Sequence, residues 1–314
     1  MKHPITVVLL FIFLAGLLFA GSASQGQEET AAEHRLRIID LTPRFVAFYD
    51  AAEGLDPDER WALWEEMYRF AAVPPTPEGQ TMARSLLDQA WPHYEGVIDA
   101  LRLGAEELGY DAEESFLRVA ELFDAADTPL EVQVLYFVGG FERNAFMAGN
   151  APPMVALPVE NGVEYLEITG PHELIHAVHV QLSGSSGGWE RSVANAILSE
   201  GLAMRGTQAL YPDLPATRHL AASEEWIAEM AANETGILEG LRPLLTQSDS
   251  QTIGAVLMGP GPSGQHREAY YAGWVLTAQL LDEGWTFSRL ARIPDEDMPD
   301  LLDGAIARRL DQDR

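Results

Sequence analysis

His172-Glu173-Leu174-Ile175-His176 is the stretch on which the reading of this 314-residue chain turns. On an α-helix, residues four apart lie about 40° from each other around the axis, so both imidazoles leave one face. Two neutral imidazoles placed in this way can hold one Zn²⁺ at roughly 2.0–2.1 Å. Glu173 lies about 100° round from His172, off the line of the ligands and suited to take a proton from a water as general base. Leu174, Ile175, Val178 and Val180 supply apolar surface that would bury the helix. Buried histidine and glutamate without partners are costly, so a metal accounts for them better than a plain core does. Upstream, Thr169 or Gly170 suits the N-cap and Pro171 the first helical position, where its missing N–H is no loss.

A metal held by two histidines needs a third protein ligand, and Ser199-Glu200-Gly201-Leu202-Ala203 offers Glu200. Between them, Ser183-Gly184-Ser185-Ser186-Gly187-Gly188 reads as a glycine-rich turn, and a second helix is expected to return from about Trp189. Val193, Ala196, Ile197, Leu202 and Ala203 form its apolar side, with Glu200 facing the first helix. His179 is expected beside the ligands or on the surface, not on the metal.

H-E-L-I-H followed by S-E-G-L-A resembles the gluzincins, the thermolysin- and aminopeptidase-like zinc metallopeptidases, over about residues 130–285. The resemblance implies a zincin-like catalytic core, one Zn²⁺ per chain on His172, His176 and Glu200, and a peptide or protein substrate. Tyr270-Tyr271-Ala272-Gly273 is similar to the Y-x-x-G segment whose tyrosine stabilises the oxyanion, which implies that role for Tyr270. Tyr271, His266 and Arg267 are its rivals. The zinc peptidases that extend the motif with a glycine and a third histidine are not matched, since His179 and Leu182 stand at those positions. Gly149-Asn150-Ala151-Pro152-Pro153-Met154 stands where many aminopeptidases carry an amine-binding glutamate, and it holds no acid, so endopeptidase action is favoured. In layout the chain resembles uncharacterised families of predicted zinc-dependent proteases. A zinc hydrolase of non-peptide amides or esters, or an inactive zincin-fold binding protein, are the alternatives.

The remaining sequence bounds the setting. Lys2 followed by the apolar run Ile5 to Ala20 and Gly21-Ser22-Ala23-Ser24 reads as a signal peptide over 1–23, which implies a secreted or periplasmic protein. An uncleaved anchor is the rival reading; otherwise no membrane partner is expected. With 48 acidic against 20 basic residues, the formal charge of −28 argues against nucleic-acid binding. There is no cysteine, so no disulfide contributes.

The expected fold is α+β and mainly helical, with a helical region over 24–129 and the core over 130–314. Helices are expected over Trp61–Phe70, after the capping sequence Asp56-Pro57-Asp58, and over about Thr81–Leu108 and Asp111–Asp124. Val132, Val134, Tyr136 and Val138 alternate as a strand, Gly139-Gly140 turns the chain, and Met154 to Val159 reads as another strand. Pro158 cannot donate to a ladder and so favours an edge, where an extended peptide could add as a further strand. Helices over about Ser223–Ala232 and Tyr270–Leu281 follow.

Overall fold

Alternating and continuous apolar runs become a small sheet in the computed structural model, which describes residues 33–105, 109–185, 187–188 and 191–312. The signal-peptide segment lies outside the described residues. Strands β1 (Arg35–Asp40), β2 (Glu131–Phe137), β3 (Phe146–Ala148) and β4 (Met154–Pro158) stand in the order β1-β2-β4-β3. β1, β2 and β4 run parallel, and β3 is antiparallel to β4 at one edge. Met154 to Leu157 are all buried, as expected of an inner parallel strand covered on both faces.

Two expectations are corrected here. β4 is an inner strand and β3 is the edge on its side of the sheet, so Pro158 does not mark an edge. It closes β4 opposite Phe137, while β3 pairs only with Met154, Val155 and Ala156, so its missing N–H interrupts no ladder to β3. Within the region expected to be helical, β1 pairs with β2 from Arg35↔Glu131 to Asp40↔Tyr136. The stretch Arg-Leu-Arg-Ile is too short and too charged to announce a strand, and its partner lies far along the chain.

Helices surround this sheet. α1 (Thr42–Ala51) is followed by α2 (Pro57–Met67), which Asp56 caps by accepting from the Asp58 and Glu59 N–H groups at 2.9 and 3.0 Å. Glu59 returns the bond to the Asp56 N–H at 3.2 Å, closing a capping box. The helix expected over Thr81–Leu108 is instead α3 (Pro77–Tyr94) and α4 (Ile98–Leu101), the first ending just past Pro92. α5 (Ala112–Leu122) completes this half. Its aromatic rings do more than fill space. Tyr68 donates to the Val138 carbonyl at 3.0 Å and accepts from the Val138 N–H at 2.7 Å, and Tyr94 donates to the Gly139 carbonyl at 2.7 Å. These bonds pin the end of β2, from which the chain turns into β3.

α6 (Val163–Ser183) begins one helical stretch earlier than expected, after Gly162 at φ 81°, so Pro171 lies inside it. The hydroxyl of Tyr110 would be 2.0 Å from a Cβ on Gly170, so the Gly-Pro pair marks where that ring packs against the helix. α7 (Val193–Leu210) follows, capped by Ser192, whose Oγ accepts from the Asn195 N–H at 3.0 Å. The C-terminal half continues through α8 (Ala216–His219), α9 (Glu224–Ala232), α10 (Glu234–Leu241), α11 (Ser250–Leu257), α12 (Glu268–Asp282), α13 (Phe287–Leu290) and α14 (Met298–Gln312). One continuous core joins both halves, from Phe45 to Leu310. None of the described helices is long and apolar enough to cross a membrane.

Candidate metal centre

α6 and α7 bring three ligand groups to one point. The Nε2 atoms of His172 and His176 lie 3.2 Å apart, as four-residue spacing on one helix face requires. Glu200, from α7, places Oε2 3.4 Å from His172 Nε2 and 3.6 Å from His176 Nε2. All three ligand atoms lie within 4.8 Å of one another, so the group can hold a metal ion.

Burial makes the group informative. Glu200 is 5% exposed, and its Oε2 has no hydrogen-bond partner among the described residues although it faces both imidazoles. A buried carboxylate oxygen left in this state is costly, and a cation shared with the two nitrogens removes the cost. Burial opposes ionisation of Glu200, but His176 and His172 outweigh it and hold its carboxyl well below the usual range. Glu173 differs: burial raises its pKa, with the two histidines opposing, so its carboxyl accepts a proton more readily than a free one does. The Met147 N–H of β3 also favours the Glu173 carboxylate, which sets the edge strand against the general-base candidate.

The outer nitrogen of one ligand is anchored. His176 Nδ1 lies 2.9 Å from Ser199 Oγ, and His179 Nδ1 lies 3.3 Å from the same oxygen. With a metal on Nε2, His176 carries its proton on Nδ1 and donates to Ser199, which leaves the Ser199 hydroxyl to donate to His179. His179 thus stands behind the ligands and outside the trio.

Of the four oxyanion candidates, Tyr270 and Arg267 are the two that interact electrostatically with the trio. The charge of Glu200, then burial, raises the Tyr270 hydroxyl well above its ordinary pKa and keeps it a neutral donor. Tyr271 turns away and donates to Glu234 Oε2 at 2.7 Å. His266 is exposed, with Nδ1 3.2 Å from the Met258 carbonyl oxygen. Arg267 donates to the Leu220 and Ala221 carbonyls and lies 4.3 Å from the Tyr270 ring centroid, so it supports that ring.

Two glycines let α12 come this close. A Cβ on Gly201 would stand 2.4 Å from the Gly273 carbonyl oxygen, and one on Gly273 would stand 2.4 Å from the Ile197 carbonyl oxygen. The helices therefore touch backbone to backbone, directly after Glu200 and one turn after Tyr270. Sequence reasoning found the ligands but missed three neighbours. Met147 sits on a three-residue strand without a periodic signal, Ser199 was visible only as part of the S-E-G-L-A segment, and Arg191 carried no signal at all.

A cavity of about 770 Å³ opens farther along α6, beside Val180, Gln181 and Pro153, and none of the trio lines it. No family model matches this chain, and neither a curated protein nor a solved structure matches it.

Proposed function

We propose that the protein is a zinc-dependent metallopeptidase, secreted or periplasmic, with its site at His172, His176 and Glu200. The observation that carries this reading is the convergence of two imidazoles and one carboxylate within ligand distance, with the basic Glu173 carboxyl on the same helix. Two nitrogens and one carboxylate oxygen suit zinc, and a site with three protein ligands is the open, catalytic kind. When bound there, zinc supplies Lewis acidity that polarises a carbonyl and lets water ionise near neutral pH.

The chain's own groups do the rest. Glu173 takes the proton of the attacking water and passes it to the departing amine. Tyr270 donates to the carbonyl oxygen as charge develops on it. β3 presents its free edge next to Glu173, so a peptide laid along Phe146 to Ala148 would run past these groups. That edge favours peptides over non-peptide amides and esters, and a group of three protein ligands among the described residues, in a chain without cysteine, favours catalysis over structural zinc.

The deciding experiment is metal content by mass spectrometry on wild type and Glu200→Ala, with cleavage of a mixed peptide library. About one zinc per chain, lost in Glu200→Ala, together with cleavage that drops about 10²–10⁴-fold in Glu173→Gln, is the expected result. Zinc without cleavage would move the reading to non-peptide substrates or to a binding role. No zinc would overturn it.

A further inference from the structure

Arg191 enters the candidate site from the segment between α6 and α7, where its ion pair with Glu200 is long and shared. Its side chain is 18% exposed, with Nη2 4.0 Å from Glu200 Oε1. That distance is beyond a hydrogen bond, and Nε is buried without a hydrogen-bond partner among the described residues. Glu200 is its sole carboxylate within 4.0 Å among the described residues. Yet Glu200 turns its other oxygen toward two imidazoles, where the proposed zinc would draw on the same negative charge. The neighbouring arginine is committed by contrast: Arg267 spends its donors on two carbonyls and its face on Tyr270. A mostly buried guanidinium whose Nε donor has no partner among the described residues is costly unless an anion meets it.

Charge counting gives the sign of the missing partner. Among the described groups acting on the trio and Tyr270, Arg191 and Arg267 balance Glu173 and Glu200, so a divalent cation would leave an excess of positive charge. That excess sits inside a chain of net charge −28, whose surface gives an acidic ligand no general attraction. Attraction for an acid at the site is therefore local, at the planar fork that pairs with carboxylates in two-bond geometry. The Arg191 charge is felt at Tyr270 as well as at Glu200, which sets it on the side where the carbonyl oxygen would develop charge.

We propose that Arg191 receives a carboxylate of the substrate, so that the peptides handled carry a free C-terminus or an acidic side chain beside the bond to be cleaved. This rests on the reading of the site as a zinc peptidase, and its test uses binding so that the two can fail separately.

The protein is the zinc-loaded Glu173→Gln variant, in which turnover is slow enough for binding to be read. The probes are N-terminally labelled alanine hexapeptides in four versions: amidated, with a free C-terminus, amidated with one glutamate, and amidated with one lysine. Fluorescence anisotropy is expected to show one or both carboxylate versions binding tighter than the plain amide and the lysine peptide. Adding Arg191→Gln should remove that preference, a loss of about 10- to 100-fold, with zinc content unchanged. Adding Arg191→Lys should restore part of it. Whether the free C-terminus or the glutamate gains more identifies the source of the carboxylate.

Equal binding of all four versions, or no binding of any, would overturn the proposal. Loss of zinc in Arg191→Gln would also overturn it, because Arg191 would then serve Glu200 and not the substrate. Preferential carboxylate binding without cleavage of any library peptide by wild type would sink the peptidase reading and leave the anion site standing.

Discussion

Ser199 touches two histidines of different standing. His176 is aimed at the candidate metal position, whereas His179 is 1% exposed and its Nε2 has no partner among the described residues. Burial, with His176 and Arg191 adding to it, pulls the pKa of His179 down to about 3 from 6.5. Its folded-state pKa is depressed, so the folded chain keeps it neutral while the unfolded chain protonates it below about 6.5. The stability tied to the neutral ring is therefore present above that pH and is lost as pH falls toward 3. Between pH 6 and 4, wild type should lose about 1.4 kcal/mol per pH unit more than His179→Gln does. Urea unfolding of both proteins at several pH values, without added metal, measures this. Parallel pH curves would show that His179 is not held neutral.

At the scale of elements, the site depends on one helix crossing and one strand. α7 and α12 meet at Gly201 and Gly273, where there is no room for a methyl group. Gly273→Ala should cost about 1–3 kcal/mol in denaturant unfolding and lower turnover further by moving Tyr270 off the trio. A variant as stable as wild type would mean the crossing relaxes freely. β3 carries the peptide-binding expectation that its sequence position did not. A peptide-like inhibitor should slow hydrogen exchange at the amides of Phe146 to Ala148 and leave Val155 and Ala156, already flanked by β2 and β3, unchanged. Protection confined to β4 would refute strand addition at this edge.

For the whole molecule, the dominant long-range term is charge. Forty-eight acids against 20 bases leave the folded surface self-repelling, and salt screens such repulsion over about 10 Å at 0.1 M. The melting temperature should therefore rise as sodium chloride is raised from 10 mM toward 1 M. A melting temperature that falls over this range would show that favourable pairs, such as Arg242–Asp303 and Arg308–Glu283, outweigh the net repulsion.

What the sequence determined by itself is what local geometry controls. Four-residue spacing puts His172 and His176 on one face of a helix in any fold, and Asp56 with Glu59 caps a helix from within its own turn. The α+β, mainly helical class followed from the same short-range periodicities. Glu200 was legible from its segment, but its approach to the histidines depends on α7 lying against α6. The rest needed the tertiary structure, because it is set by contacts between distant residues. Pairing with β2 makes Arg35–Asp40 a strand. β3, not Pro158, decides which edge is free. Tyr270 is separated from Tyr271 only by which side of α12 faces Glu200, and Arg191 has meaning only beside a carboxylate that belongs to another turn of the chain.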